Sequence, residues 1–494
     1  MPPVRIRPER GPWPLHDAAA SRAAESAALA RHAPFELMAR AGLSVARLVW
    51  AVAPHARCIQ VWAGPGNNGG DGCVAARHLH AAGRGVRVTL VADAAQLPAD
   101  AARALAEAQR AGVPIGAEDE AADLVIDALL GLGARRAPEG AIAAAIARIN
   151  GGGAAVLAVD IPSGLHADCG TLLGEAAVRA THTLSLLSLK RGCFTAQGRD
   201  FAGAVWWDAL GVDAGPPTAW LAGPSVQVPR AQASHKGSHG DVLVVGGSTG
   251  MVGAAWLAAR AALAAGAGRV YTSPLDEQAS LLDAAHPELM GRREAWRWPP
   301  AQLAHCTVVC GCGGGAAVRD ALPSLLAHAG RLLLDADALN AIATDSTLQD
   351  LLRRRGRRGG PTLLTPHPLE AARLLQTRAA EVQSDRLAAA QVLARQFSCA
   401  VLLKGSGTVV AAQGQVPSIN PTGNAALAGP GTGDVLAGWA GGLWAQSPAA
   451  DAAAIATAAA WQHGRAADLW PAATHGAPLR ASELIEALAR RAFA

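Results

Sequence analysis

The run NPTGNAALAGPGTGDVLAGWAGG, residues 420–442, carries the most suggestive chemistry in the chain. A glycine-rich turn, Gly429 to Gly433, leads directly into Asp434 and an apolar segment with helical character. Unpaired N–H groups at a helix start attract anionic oxygens, and glycine lets a phosphate come close. A carboxylate there repels phosphate unless it takes a proton from the group that attacks or leaves it, so Asp434 is expected to act as a general base. The plain alternative is that Asp434 caps the helix.

Lysine is scarce and concentrated in motifs. Lys190, Lys236 and Lys404 are the only ones, in LKRG, HKGSHG and LLKGSGT, while arginine supplies the remaining positive charge. A compact ammonium at these points does what a planar guanidinium cannot. Lys404 with Gly405, Ser406, Gly407 and Thr408 has the make-up of a nucleotide contact, although the spacing is not that of a Walker A loop. His367, between Pro366 and Pro368, sits in an extended loop after an apolar run and is either a ligand contact or a structural or exposed residue.

Positioning these groups requires strands that end in polar loops. In the first half, one or two leading helices are expected within Ala18 to Val52, followed by a strand over Arg57 to Trp62, the loop AGPGNNGGDG and a helix from Cys73 to Ala82. Gly64, Gly66 and Gly69 satisfy a dinucleotide-binding glycine pattern, with Asp93 placed to meet a ribose. Asn67, Asn68 and Asp71 argue against that reading, because a cradle of backbone amides needs no polar side chains, whereas a small hard cation or a polar ring does. Leu124 to Ile126 runs into Asp127, Ala155 to Val159 runs into Asp160 and IPSGLHADCG, and Thr181 to Leu189 is a further strand candidate leading to Lys190. In a parallel sheet the strand ends share one edge, so Asn68, Asp71, Asp127, Asp160 and Ser163 should converge. The second half repeats the pattern, with apolar runs ending in GCGGG, DADALN, TPHPLEAARLL and KGSGTVV, and so predicts a second α/β domain with its own edge site.

At 494 residues the chain is too long for one core. Residues 1–215 and 228–494 are expected as domains, joined by a proline- and glycine-rich linker, 216–227. The 8 cysteines are scattered and read as buried reduced thiols rather than a zinc site. A net charge of +4 is too weak to argue for nucleic acid, and RRRGRR at 353–358 reads as a solvated loop or helix end. No run suits a bilayer span or a secretory signal, so a cytoplasmic protein without membrane partners is expected.

GPGNNGGDG, DALLGLG, AVDIPSGLHADCG and LSLLSLKRG together resemble the epimerase domain of the NAD(P)H-hydrate repair enzymes, over roughly Ala18 to Val212. The resemblance implies a Rossmann-like three-layer domain in which the hydrated nucleotide, NADHX or NADPHX, lies against Asn67, Asn68, Gly69, Gly70 and Asp71, against Gly131, Leu132, Gly133, Ala134, Arg135, Arg136 and Ala137, and against Asp160. It further implies a potassium ion on Asn68, Asp127 and Ser163; Asp160 is the hypothesis for the proton shuttle that inverts C6. His166 stands where this family tends to carry Asp, and Leu132 where Thr is common.

The second half resembles the ADP-dependent NAD(P)H-hydrate dehydratases of the ribokinase-like superfamily, through HKGSHGDVLVVGGS, GCGGG, LDADALN, TPHPLEAARLL, LKGSGTVV and NPTGNAALAGPGTGDVLAG. Carried over, Ala254, Gly313, His367 and Asp434 would contact the hydrate, and Lys404 to Thr408 with Gly433 would contact the adenine nucleotide. Cys312 and Gly314 replace a usual Pro and Leu. The implied protein is a homo-oligomeric bifunctional repair enzyme using ADP as co-substrate, magnesium in the dehydratase and potassium in the epimerase. The alternative is a vitamin or sugar kinase fused to a Rossmann-like nucleotide-binding or sensing module.

Overall fold

The computed structural model describes residues 2–116, 121–224, 230–470 and 479–490, and the chain separates into two compact units, Met1–Trp220 and Leu221–Ala494. The expected end of the linker and start of the second domain, residues 227 and 228, lie outside the described residues.

The first unit is built on a sheet in the order Val4–Arg5, Ala204–Asp208, His182–Leu186, Ala155–Val159, Leu124–Ala128, Cys58–Ala63, Gly85–Leu90. All pairings are parallel except that of the first two strands. Side chains alternate across the strands and so feed two cores. Ile59, Val61, Ile126, Leu157 and Leu184 face helices Glu36–Val52, Asn67–Ala81 and Ala99–Arg110, whereas Val125 and Val156 meet Ile146 and Ile149 of Gly140–Gly151. Helices on both faces of a parallel sheet make the three-layer domain. Strand order reverses between Cys58–Ala63 and Leu124–Ala128, which is where open sheets of this kind leave a crevice for a ligand.

One helix boundary departs from expectation. The helix predicted from Cys73 begins at Asn67, with extended Gly66 as its N-cap. NNGGDG is therefore its first turns rather than a loop. Its glycines serve close packing: a Cβ on Gly70 would lie 2.7 Å from Met38 Cε, and one on Gly72 would lie 2.7 Å from Ala128 Cβ.

The second unit has parallel strands in the order Met290–Gly291, Arg269–Pro274, Asp241–Gly246, Cys306–Cys310, Arg331–Leu334, Thr362–Leu364, Ala400–Leu403, extended antiparallel by Val409–Ala411 and Ser418–Ile419. Val242, Val244, Val309, Leu333, Leu363 and Leu402 bury against the helices Val252–Ala265, Thr432–Gln446, Ala452–Asp468 and Ala481–Ala489. The arginine-rich run ends helix Ser346–Arg357, but it is not wholly solvated. Arg355 is buried and donates to Thr362 Oγ1, Gly330 O and Pro361 O, tying the starts of strands Arg331–Leu334 and Thr362–Leu364 to the helix end.

Helices Val252–Ala265 and Thr432–Gln446 pack through main chain. A Cβ on Gly438 would stand 1.9 Å from Ala258 O, and one on Gly442 would stand 2.5 Å from Ala262 O. Gly438→Ala should therefore destabilise the second unit by about 1–3 kcal/mol through overpacking. Gly253→Ala, where nothing lies within 4 Å, should gain up to about 1 kcal/mol of helix propensity. Urea unfolding followed by tryptophan fluorescence checks both.

Candidate active sites

In the first unit a cavity of about 700 Å³ opens at the reversal of strand order, lined by the ends of both central strands. Asn67, Asn68, Asp71, Gly131, Leu132, Gly133, Ala134 and Asp160 all border it. The loops that follow Cys58–Ala63 and Leu124–Ala128 touch: a Cβ on Gly64 would lie 1.8 Å from Leu129 O, so only glycine permits this approach. Gly69 and Gly70 sit behind the wall, and Arg135, Arg136 and Ala137 are exposed outside it. Asp93 caps the short helix Ala94–Gln96 by accepting from Ala95 N and does not border the cavity, which removes the expected ribose contact of a dinucleotide fold.

Asp160 follows strand Ala155–Val159 with φ of 71°, a left-handed conformation that costs a non-glycine residue on the order of 1–3 kcal/mol. That conformation turns its carboxylate toward Lys190, which ion-pairs with it. Oδ1 and Oδ2 also accept from Leu186 N and Leu132 N, both at 3.3 Å. Lys190 is buried and donates further to Leu186 O at 2.6 Å and Ser188 O at 3.0 Å, so its three protons are all placed. Asp71 is held well above the usual carboxylate range by burial, then by the charges of Asp160 and Glu25. Behind the wall, buried Asp127 accepts from Ser163 Oγ at 2.6 Å, Ser163 N at 2.9 Å and Leu129 N at 3.2 Å; burial pushes it up to about 6 against those hydrogen bonds. Asn68 Nδ2 is buried without a partner. His166 Nδ1 accepts from Asp168 N at 3.1 Å and Cys169 N at 3.3 Å, the turn-closing task that an aspartate oxygen performs.

In the second unit Asp434 is not a cap. Gly431, with φ of 83°, is the N-cap of Thr432–Gln446, and Asp434 is the third helical residue. The turn is braced by Thr432 Oγ1, donating to Leu427 O at 2.9 Å and Gly429 O at 3.0 Å, and by buried His463, whose Nε2 lies 3.0 Å from Thr432 O. Burial and the neighbouring Asp335 charge push Asp434 up to about 6, opposed by hydrogen bonding from the Cys312 thiol and by Lys404. The ligand-capable atoms of Cys312, Asp335 and Asp434 lie within 4.8 Å of one another.

Lys404 leaves strand Ala400–Leu403 and donates to buried Asp335 at 2.6 Å, with Glu370 at 4.0 Å. Burial works against its charge, but the two carboxylates outweigh burial and hold its pKa above the ordinary value. A Cβ on Gly433 would lie 3.5 Å from Lys404 Nζ, which brings the two parts of the expected nucleotide contact together. Gly405 to Thr408 form the adjoining turn, closed by Thr408 Oγ1 to Gly405 O at 3.1 Å and held from below by buried Arg386, which donates to Leu403 O and Lys404 O. Ala254 and Gly313 are neighbours, since a Cβ on Gly313 would lie 2.8 Å from that of Ala254. His367 caps helix Pro368–Leu375: Nδ1 accepts from Leu369 N and Glu370 N, leaving the proton on Nε2, 3.2 Å from Glu370 Oε1. Glu370 is pushed up to about 7, chiefly by burial.

Asp335, Glu370, Arg386 and His463 carry no role in the sequence reading. DADALN and TPHPLE display two of them, but nothing in one sequence says that a carboxylate at one strand end meets a lysine two strands away. Asp335→Asn should destabilise the second unit by about 3 kcal/mol, because it removes the hydrogen-bonded partner of the buried Lys404 ammonium and leaves it only Glu370, 4.0 Å away. Pairing that change with Lys404→Met should recover part of the loss, as read from urea midpoints of the single and double variants.

The family model described as NAD(P)H-hydrate dehydratase matches residues 242–490, and that described as YjeF-related protein N-terminus matches residues 34–192. The bifunctional NAD(P)H-hydrate repair enzyme Nnr of Escherichia coli K12 is 38% identical over 484 residues, covering 92% of this chain and 89% of its own. The enzyme of the same name from Coxiella burnetii is 35% identical over 451 residues, covering 88% of this chain and 90% of its own. A solved ADP/ATP-dependent NAD(P)H-hydrate dehydratase of Bacillus subtilis, co-crystallised with ATP and Mg2+, is 31% identical, with a TM-score of 0.45, over 53% of this chain and 92% of its own. With both halves matched in order and most of its length aligned to curated relatives, the chain belongs to the bifunctional NAD(P)H-hydrate repair enzymes.

Proposed function

We propose that the first unit interconverts R- and S-NAD(P)HX and that the second dehydrates S-NAD(P)HX to NAD(P)H, converting ADP to AMP and phosphate. The observation that carries the dehydratase reading is the half-buried Asp434 at the phosphate-attracting start of a long helix, beside Lys404 and Gly433. Asp434 takes the proton of the C6 hydroxyl as that oxygen attacks the terminal phosphorus of ADP, and AMP leaves. The lone pair of ring N1 then expels phosphate from C6, and loss of a C5 proton restores the double bond. Lys404, Gly405, Ser406, Gly407, Thr408 and Gly433 hold the nucleotide, while Ala254, Gly313 and His367 hold the hydrate. This is elimination through a phosphate ester that does not persist, which separates the activity from that of a small-molecule kinase.

Epimerisation follows from C6 bearing both a hydroxyl and N1. Asp160 removes the hydroxyl proton as the C6–N1 bond breaks, giving an aldehyde. Rotation and reclosure on the other face, with the proton returned, give the second epimer. Lys190 keeps the Asp160 carboxylate in place for this cycle.

Asn68, Asp127 and Ser163 suit a potassium ion. They offer hard oxygen ligands, Asp127 keeps one lone-pair direction beyond its three hydrogen bonds, and a flip of the orphaned Asn68 amide would put its carbonyl oxygen where Nδ2 now lacks a partner. Such an ion supplies fixed positive charge beside the substrate loop. Magnesium offsets charge on the transferred phosphoryl group. Asp335 and Asp434 suit it and the Cys312 thiol does not; Lys404 already occupies Asp335, so the nucleotide phosphates would carry most of the coordination. A cytoplasmic location fits the eight free cysteines.

Feeding mixed R and S hydrate with ADP, magnesium and potassium tests both halves: wild type should consume both epimers. Asp160→Asn should consume the S form and leave the R form, and Asp434→Asn should epimerise without producing NADH absorbance. A wild type that consumes neither epimer would reject the reading. Because Asp434 accepts a proton only when ionised, the dehydration rate should fall as pH drops through about 6. A pH profile of kcat under saturating hydrate and ADP checks that limb.

A further inference from the structure

We propose that Arg22 binds the diphosphate of the dinucleotide hydrate in the cavity of the first unit. The inference rests on the epimerase reading and adds a residue that no motif displayed. Helix Ala18–Leu29 presents Arg22, Glu25, Ser26 and Leu29 to the cavity, positions three, four and seven apart that share one helix face. The helix is fixed from both sides: Asp17 accepts from Ala20 N, Asp168 Oδ1 accepts from Ala18 N at 2.7 Å, and Ser21 Oγ meets Ser188 Oγ at 2.7 Å.

The charges around the cavity make Arg22 necessary. Glu25, Asp100 and Asp160 line it, with Asp71 held toward its neutral form, against only two cations, Arg22 and Lys190. A substrate whose middle is a doubly charged diphosphate cannot enter such a site without positive charge to receive it. Lys190 is committed, with its protons placed on Asp160, Leu186 O and Ser188 O. Moving it would strip Asp160 of its partner. Arg22 gives one N–H to Leu132 O at 3.3 Å, and among the described residues that is its only hydrogen bond. This anchor sets the guanidinium at the rim of the Gly131 to Ala134 turn and leaves its other donors for a ligand. The planar fork suits two phosphate oxygens, and the uncapped start of helix Asn67–Ala81, with Gly66, Asn67 and Asn68 on the same cavity, adds backbone donors.

The test compares R-NADHX with the hydrate of reduced nicotinamide riboside, which has the same ring and no phosphate, in the absence of ADP so that only epimerisation is read. Arg22→Gln should lower kcat/KM for the dinucleotide about tenfold more than for the riboside, almost wholly through KM, as expected for loss of about one charge-assisted hydrogen bond. Arg22→Lys should recover part of it. Equal losses on both substrates, or a loss confined to kcat, would mean that Arg22 only supports Leu132 and would overturn the assignment. If wild type turned over neither substrate, the epimerase reading itself would fall, and this proposal with it. If Arg22→Gln bound both substrates as wild type does, the reading would stand and Arg22 alone would be rejected.

Discussion

A buried lysine–aspartate pair at the carboxyl edge of a parallel sheet is the constraint on which each unit depends. Asp160 follows strand Ala155–Val159 and Lys190 lies four residues past the end of the neighbouring strand His182–Leu186, while Lys404 and Asp335 leave strands separated by Thr362–Leu364. An ammonium taken out of water costs several kcal/mol, recovered only when its partner and its remaining acceptors are in place. Each pair therefore fixes where two strand ends lie relative to each other. Two of the chain's three lysines are spent in this way. A guanidinium in their place would be too broad for the three close acceptors around Lys190.

The pairs also divide labour among the acids. In each unit one carboxylate is clamped by the lysine, and a neighbouring one is pushed toward the neutral form, chiefly by burial: Asp71 beside Asp160, and Asp434 beside Asp335. The division arises from burial and charge placement, so it survives the difference in topology between the two sheets.

Much of this was legible in the sequence because parallel strands write their carboxyl ends as polar interruptions of apolar runs. Asp127, Asp160 and Lys404 stand at such interruptions and reach an edge. Asn67 to Asp71 misled in one respect: their glycines imitate a phosphate loop, whereas packing against Met38 and Ala128 had selected them for a helix. Asp335 and Arg386 were hidden because their roles exist only between distant segments. Arg355 reads as surface charge because a run of arginines says nothing of which one turns inward. Arg22 stayed unseen because its helix has ordinary periodicity; only the inventory of charge around a formed cavity gives it meaning.

The main-chain contact of Gly438 and Gly442 with Ala258 and Ala262 has one further consequence. Asp434 and Ala254 ride on the two helices that this contact joins. The separation of these two residues is thus tied to a main-chain contact. Divergence toward substrates of another size would have to proceed through the turns at Gly313, Gly405 and Gly429, and insertions there, rather than helix substitutions, are the route by which a descendant could acquire a new acceptor.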